Sequence, residues 1–230
     1  MFATNKDFSQ YKKHQITLFK EMLHTYPKNQ FDEQALPSYT NPNPLMRYLF
    51  WERIRFVIKY LSSFNKINTC LDFGCGLGTM IPYLSQKVQS LFVLDLDISL
   101  LQEIGEKEGW QNVAYLDSLE QLNGFEGKID FILALDVLEH VNNLSEILLC
   151  FSELLTKDGF ILVSGPTENI FYKIGRRLAN YSGHYHTRNV YDVKDEMEKH
   201  FLVSSLKTLY KPIPFFEIYV AKRYIPKNKR

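Results

Sequence analysis

The residues of this chain whose types and spacing could do chemistry begin at Leu71-Asp-Phe-Gly-Cys-Gly-Leu-Gly78. Glycines at 74, 76 and 78 permit a tight turn and let a ligand approach the backbone closely. A glycine-rich turn alone also fits dinucleotide enzymes. Here the spacing is GxGxG rather than GxGxxG, and Asp72 stands just ahead of it. A carboxylate at that point repels a pyrophosphate and suits a ligand that carries cations and no phosphate. A second acid, Asp97, lies about twenty residues beyond the glycines, the separation at which ribose hydroxyls are met. Capping the following helix is the other reading of Asp97. Further on stand Asp117 and the segment Leu135-Asp-Val-Leu-Glu-His-Val141, and later His184 and His186 alternate in Gly183-His-Tyr-His-Thr-Arg188.

The run from Leu71 to Gly78 resembles motif I of class I methyltransferases that use S-adenosylmethionine (SAM), a ligand with an ammonium and a sulfonium. Val93-Leu-Asp-Leu-Asp-Ile-Ser99 is similar to the family's "DIS" segment, and Leu135 to Val141 resembles the "DVLEHV" segment of its small-molecule, type 11-like members. The resemblance covers roughly residues 68 to 165 and implies a site on matching positions. Asp72, Gly74, Cys75, Gly76 and Gly78 would hold the amino-acid end. Asp97 and Ile98 would hold the ribose, while Asp117 would accept from the adenine amino group and the Ser118 amide would reach the ring. Asp136 and His140 would lie along the cofactor. Asp95 stands where the family often has Gly. No Asn-Pro-Pro-Tyr follows the fourth strand, which argues against DNA adenine or glutamine as acceptor.

Methyl transfer is an in-line displacement with an activated leaving group, so placement and desolvation do much of the work. A hydroxyl acceptor needs help in losing its proton. His186, then His184, are the candidate bases, with His140 next. Two imidazoles without a third ligand make a poor metal site, and none is expected. Structural hydrogen bonding is the plainer reading of the pair. They fall in an insertion, Pro166 to Asn189, that resembles the family's substrate lids. Within it Asn169–Ala179 fits a short helix, with Ile170, Ile174 and Leu178 on one face and Lys173, Arg176 and Arg177 elsewhere. Those cations could hold an acidic acceptor, although a solvated face is commoner.

Positioning these groups requires an alternation of strands and helices, and the sequence supplies it. Strands are expected at Asn68–Phe73, Leu91–Asp95, Val113–Tyr115, Ile129–Ala134 and Phe160–Ser164. Helices are expected at Thr79–Gln86, Ser99–Glu108 and Asn143–Leu155, the last stopped by a turn at Lys157-Asp-Gly159. Such alternation implies a parallel sheet with helices on both faces. Leu202–Tyr210 and Phe215–Lys222 also read as strands, and the four residues Lys211 to Pro214 between them allow only an antiparallel pairing. The expectation is a seven-stranded, mostly parallel Rossmann-like sheet ending in that hairpin. Residues 1–66 form an N-terminal helical cap ahead of a methyltransferase domain at 67–230. The cap holds one helix over Tyr11–Tyr26 and another over Leu45–Phe64. The second has an apolar face of Tyr48, Leu49, Ile54, Val57, Ile58 and Leu61, and a polar face with Arg47, Arg53, Arg55 and Lys59.

Composition sets bounds on partners. The 230 residues carry 27 Lys and Arg against 26 Asp and Glu, a net charge of +1, without the basic excess that long nucleic acid demands. DNA is not expected. The basic helix face reads as solvated, or as docking an anionic substrate or a membrane surface peripherally. The three cysteines show no CxxC or metal spacing, and with no signal peptide or spanning run the chain reads as cytoplasmic. The leading expectation is a SAM-dependent methyltransferase with a small-molecule or lipid-like acceptor, O-methylation first, releasing S-adenosylhomocysteine (SAH). Its rivals are an RNA or protein methyltransferase docking through the basic helix, a catalytically silent SAM-binding regulator, and an NAD(P) oxidoreductase.

Overall fold

Phe8, Tyr11, Gln15, Phe19 and Met22 are buried at three- and four-residue intervals, the periodicity of one helical face. They lie on helix α1, Asn5–Thr25. Helix α2, Pro44–Leu61, begins on a proline, whose missing N–H costs nothing in a first turn. The computed structural model describes residues 5–26, 39–64, 67–165, 190–205 and 222–226. Two compact units emerge: Met1–Asn65 with Gly76–Tyr83, and Lys66–Cys75 with Leu84–Arg230.

In the first unit the core is aromatic. Trp51 is fully buried, donates through Nε1 to the Tyr39 carbonyl at 3.1 Å, and meets the rings of Tyr39 and Tyr11 edge-on. The Tyr11 hydroxyl donates to the Thr79 carbonyl, and that of Tyr83 to the Ile58 carbonyl. The expected apolar face of α2 needs one correction: Tyr48 is 46% exposed. Trp51, in register with Ile54 and Ile58, takes the inward place instead.

The second unit is built on a sheet of order β3-β2-β1-β4-β5-β7-β6. Its strands are β1 Ile67–Phe73, β2 Val88–Leu94, β3 Val113–Leu116, β4 Ile129–Leu135, β5 Leu155–Ser164, β6 Phe201–Ser205 and β7 Lys222–Pro226. The first five pair in parallel. Such pairing demands crossovers; α3 Ile81–Lys87, α4 Ser99–Glu108 and α5 Leu144–Leu154 fall between strands in the sequence, with α6 Val190–His200 ahead of β6. Leu71, Ile132, Ile161, Leu148 and Phe151 are among the core residues beneath the site-bearing edge.

One expectation is displaced. Lys157-Asp-Gly159 does not precede β5 but lies inside it, because Ile129 pairs with Leu155 and the register then jumps to Phe131 opposite Phe160. Gly159 suits this bulge through size: a Cβ there would stand 3.0 Å from the Thr156 carbonyl and 3.1 Å from that of Ile129. At the C-terminus, β7 pairs antiparallel with both β5 and β6; of the expected strand at 215–222 only Lys222 is among the described residues, and it opens β7. Its sequence, Lys-Arg-Tyr-Ile-Pro, has little strand signature; two flanking partners supply what propensity does not. Residues 206–221 lie outside those described.

Candidate functional site

The carboxyl ends of the parallel strands gather most of the expected residues of the second unit. At the end of β1, Asp72 is 3% exposed. Burial first, and then the Asp95 carboxylate, push its carboxyl up to about 7. An acid held there is costly unless a cation joins it. The chain then turns at Gly74, in the left-handed region at φ 71°. The turn is pinned by hydrogen bonds from the Gly74 and Cys75 amides to the Leu94 carbonyl, 2.8 and 3.2 Å. A Cβ on Gly74 would stand 2.3 Å from Val137 Cγ2, so the backbone surface here exists only because the side chain is absent. Burial, reinforced by Asp72 and Asp95, pushes the Cys75 thiol well above its ordinary value; it stays neutral and offers no nucleophile. Gly76 and Gly78 also have positive φ, 53° and 73°, and belong to the helical unit.

Past β2, Asp97 is exposed, and its Oδ1 accepts from the Ser99 hydroxyl and amide at 2.6 and 3.0 Å. Those two bonds, the hydroxyl's first, hold its carboxyl below the usual range. It therefore braces the start of α4 from one residue ahead of the N-cap while remaining ionised and open to solvent. Ile98, half-buried, takes the N-cap position without a side-chain cap. Asp95, half-buried beside them, accepts from the Leu96 amide at 2.8 Å, and Leu96 is 90% exposed. The sequence pointed to Asp97 alone, whereas the segment after β2 presents two acids, Asp95 and Asp97, and the apolar Leu96. Two carboxylates bracketing a leucine were the available signal.

After β3, Asp117 is exposed. The Ser118 amide, expected to meet an adenine ring, instead donates to Gln121 Oε1 at 3.3 Å, and the Asp117 amide donates to the same oxygen at 2.9 Å. This is a capping box on the turn Leu119–Leu122, and the long Ser118 bond must open before that amide can serve a ligand. After β4, Asp136 adopts φ 52° and accepts a bond from the Ser164 hydroxyl at 3.1 Å. Ser164, which closes the apolar run Phe160–Val163, was not singled out by sequence. His140 is exposed in the turn Leu138–His140, and Glu139 is the buried member of that pair. His184 and His186, with the insertion 166–189, lie outside the described residues. Among those described, no group of His, Cys, Asp or Glu could hold a metal, and no helix is long and apolar enough to cross a membrane.

The arrangement suits a phosphate-free ligand with a cationic end. It offers a buried acid waiting for a cation, a glycine surface that a Cβ would fill, and exposed acids at the ends of β2 and β3. Residues 46–209 match the family described as a methyltransferase domain. The chain belongs to this family, as a SAM-dependent methyltransferase of the class I fold.

Solved structures share that fold. A Pyrococcus horikoshii OT3 protein aligns over 88% of this chain and 100% of its own at 15% identity, TM-score 0.66. The N-methyltransferase NodS of Bradyrhizobium japonicum WM9, in complex with SAH, aligns over 92% and 98% at 15% identity, TM-score 0.60. A chain from the complex of the Haloferax volcanii Trm112 methyltransferase activator with a methyltransferase aligns over 85% and 98% at 12% identity, TM-score 0.62. No curated protein matches the sequence.

Proposed function

We propose that this enzyme methylates an oxygen of a small-molecule or lipid-like acceptor. The observation that most supports a small acceptor is the engagement of the basic helix within its own unit. Arg47 Nη1 donates to the Asn41 carbonyl at 2.6 Å, Arg53 to the Tyr39 hydroxyl at 3.3 Å, and Arg55 to Glu52. The guanidinium of Arg53 also lies over Phe50 at 5.0 Å, and that of Arg55 over Phe8 at 6.0 Å. Cations used in this way make a poor track for a phosphate backbone. Replacing Arg53 and Arg55 together by alanine is accordingly expected to leave turnover of a small acceptor within about twofold, with little dependence on salt. A drop in activity for the variant, together with a wild-type activity that falls steeply as salt rises, would favour a docking role.

Bound SAM supplies a methyl group on a sulfonium, which departs as a neutral thioether. In this reading Asp72 neutralises the ammonium, and the bare backbone at Gly74 and Cys75 lets the amino-acid end lie close. Asp97, with Asp95 and Ile98 beside it, takes the ribose hydroxyls. Asp117 takes the adenine amine, and the Ser118 amide serves the ring once released from Gln121. His186 and His184, in the proposed lid 166–189, are the proposed acceptor contacts, with His140 next. An unperturbed imidazole is largely neutral near pH 7 and can take a proton from a hydroxyl.

A second reading draws on the likeness to the chain crystallised with an activator: the enzyme acts on RNA or protein together with a partner. One experiment separates the two. Purified enzyme with methyl-tritiated SAM is offered small-molecule and lipid extracts in parallel with RNA and protein fractions. Label in a lipid or small-molecule ether supports the proposal, and label confined to polymer overturns it. SAH binding without turnover on any fraction would make the chain a silent binder.

A further inference from the structure

Helix α2 opens without an acid in its first turn, and Arg47 stands there instead. A helix N-terminus carries partial positive charge, so a cation at that end is unfavourable unless an anion joins it. Lys12, on α1, adds a second cation. Its ammonium lies over the Trp51 ring at 5.9 Å. Burial first, and then repulsion from Arg47, hold it below the ordinary lysine value, with Glu52 opposing. Glu52 is already bound by Arg55 at 3.1 Å, and the bond from Arg47 goes to the neutral Asn41 carbonyl. Among the described residues, neither Lys12 nor Arg47 makes an ion pair.

The register of the two helices brings a third group to the same turn. Arg55 lies over Phe8 at 6.0 Å, while Trp51 meets Tyr11 edge-on and lies under Lys12, so α1 and α2 run antiparallel here. Gln15 is three residues on from Lys12, about 4.5 Å further along α1, and comes level with Arg47. Residues three apart are neighbours on a helix face, with Cβ atoms about 5–6 Å apart. Gln15 is fully buried, and neither its amide oxygen nor its amide nitrogen has a partner. Buried polar groups are almost always satisfied, and a bare one is costly. An amide that can donate N–H beside two cations is chemistry for an oxyanion.

We propose that Lys12, Arg47 and Gln15 form a site for one oxyanion, the carboxylate or phosphate of an acidic methyl acceptor. Such a site rests on the small-acceptor reading above and adds a charge to it. All three residues belong to the helical unit, which also holds Gly76–Tyr83. Tyr11, next to Lys12, donates to the Thr79 carbonyl one residue past the glycine turn, so the acceptor's anion is held on the helix that touches the end of that turn. Two cations and one amide match a single anionic group. A polymer backbone needs a longer row of cations, and Arg53 and Arg55 are engaged with Tyr39 and Glu52.

Inorganic phosphate serves as the probe. The wild-type enzyme is expected to melt roughly 3 °C higher in about 50 mM phosphate than in sodium chloride of the same ionic strength. Lys12→Gln should lose most of that rise. Gln15→Met, close in shape, should melt higher than wild type in chloride because no bare amide is buried, yet lose the rise as well. A purely structural glutamine would leave the phosphate response unmoved. An equal rise in all three proteins would overturn the site, as would no rise in the wild type. By calorimetry, phosphate should leave SAH affinity unchanged within about twofold. Mutual exclusion of phosphate and SAH would assign the site to the cofactor's own carboxylate and overturn the proposal. The methyl-tritiated product of the extract assay should be retained by an anion-exchange resin, and its partition between organic solvent and water tells an acidic lipid from a soluble acid. A neutral product would overturn the proposal. Label confined to polymer would instead remove the small-acceptor reading, and the phosphate response of the variants would still judge the anion site by itself.

Discussion

Gly74→Ala is expected to destabilise the protein by roughly 2–5 kcal/mol and to weaken SAH binding by at least ~100-fold. Two separate costs add. The residue sits at φ 71°, where a Cβ meets the following carbonyl, worth about 1–2 kcal/mol. The Cβ would also stand 2.3 Å from Val137 Cγ2 and 2.5 Å from Val137 Cβ. A β-branched side chain on a constrained segment cannot swing away from that contact, and overpacking of this kind costs about 1–3 kcal/mol. Nor can the turn retreat, because the Gly74 and Cys75 amides are tied to the Leu94 carbonyl. Gly109 supplies the internal control: it has the same φ, 71°, and nothing within 4 Å of its Cβ position, so Gly109→Ala should show the backbone cost alone. Adding Val137→Ala to Gly74→Ala should recover part of the steric cost. Urea unfolding measures all three variants. Equal losses for Gly74→Ala and Gly109→Ala would show that the Val137 contact carries no weight.

What the sequence made legible follows what local rules control. Ser99–Glu108 was expected as a helix and is one, residue for residue, because its apolar period and the glycine after it are local signals. The five parallel strands follow from apolar runs between helical segments, and the glycine turn from its composition. Their outer ends are set by partners instead. Val88–Gln89–Ser90 joins β2 through pairing with Ile67 and Thr69, and Thr156–Gly159 joins β5 through a register jump. Neither is visible in a one-dimensional pattern. Trp51 and Tyr48 lie three residues apart on α2, and only the packed unit decides which ring turns inward. In the site, the individual acids could be found by motif, but not their couplings. That Asp95 raises Asp72, that Gln121 occupies the Ser118 amide, and that Ser164 braces Asp136 are all relations between segments far apart or folded back on themselves.

The second large effect concerns Asp72 and pH. Its carboxyl is raised from 3.8 to about 7, by burial first and by Asp95 second. An acid with a raised folded value binds a proton more tightly in the native than in the unfolded chain. Its contribution to stability is therefore greatest below about pH 4, declines as pH rises from there, and is lost by about pH 7. Three units at 1.36 kcal/mol each put the span on the order of 4 kcal/mol. Asp72→Asn removes the buried charge, so the ligand-free variant is expected to melt higher than wild type at pH 8 and to lose that advantage near pH 4. Binding should move the opposite way. In the proposed site the ligand's ammonium meets the ionised carboxylate, so below pH 7 the wild type is expected to release a proton on binding. Its affinity for SAH should rise nearly tenfold per unit from pH 5 to about 6.5 and level off above 7. Asp72→Asn should bind at least ~100-fold more weakly at pH 8, with the pH dependence gone, while Asp95→Asn should shift the wild-type inflection to lower pH. Calorimetry in buffers of different ionisation enthalpy counts the released proton directly. A wild-type affinity flat from pH 5 to 7, or an Asp72→Asn variant that binds SAH as the wild type does, would show that the buried acid is not the ammonium's partner. A variant both more stable and unable to bind would show that the cost of burying this charge is kept for the cofactor.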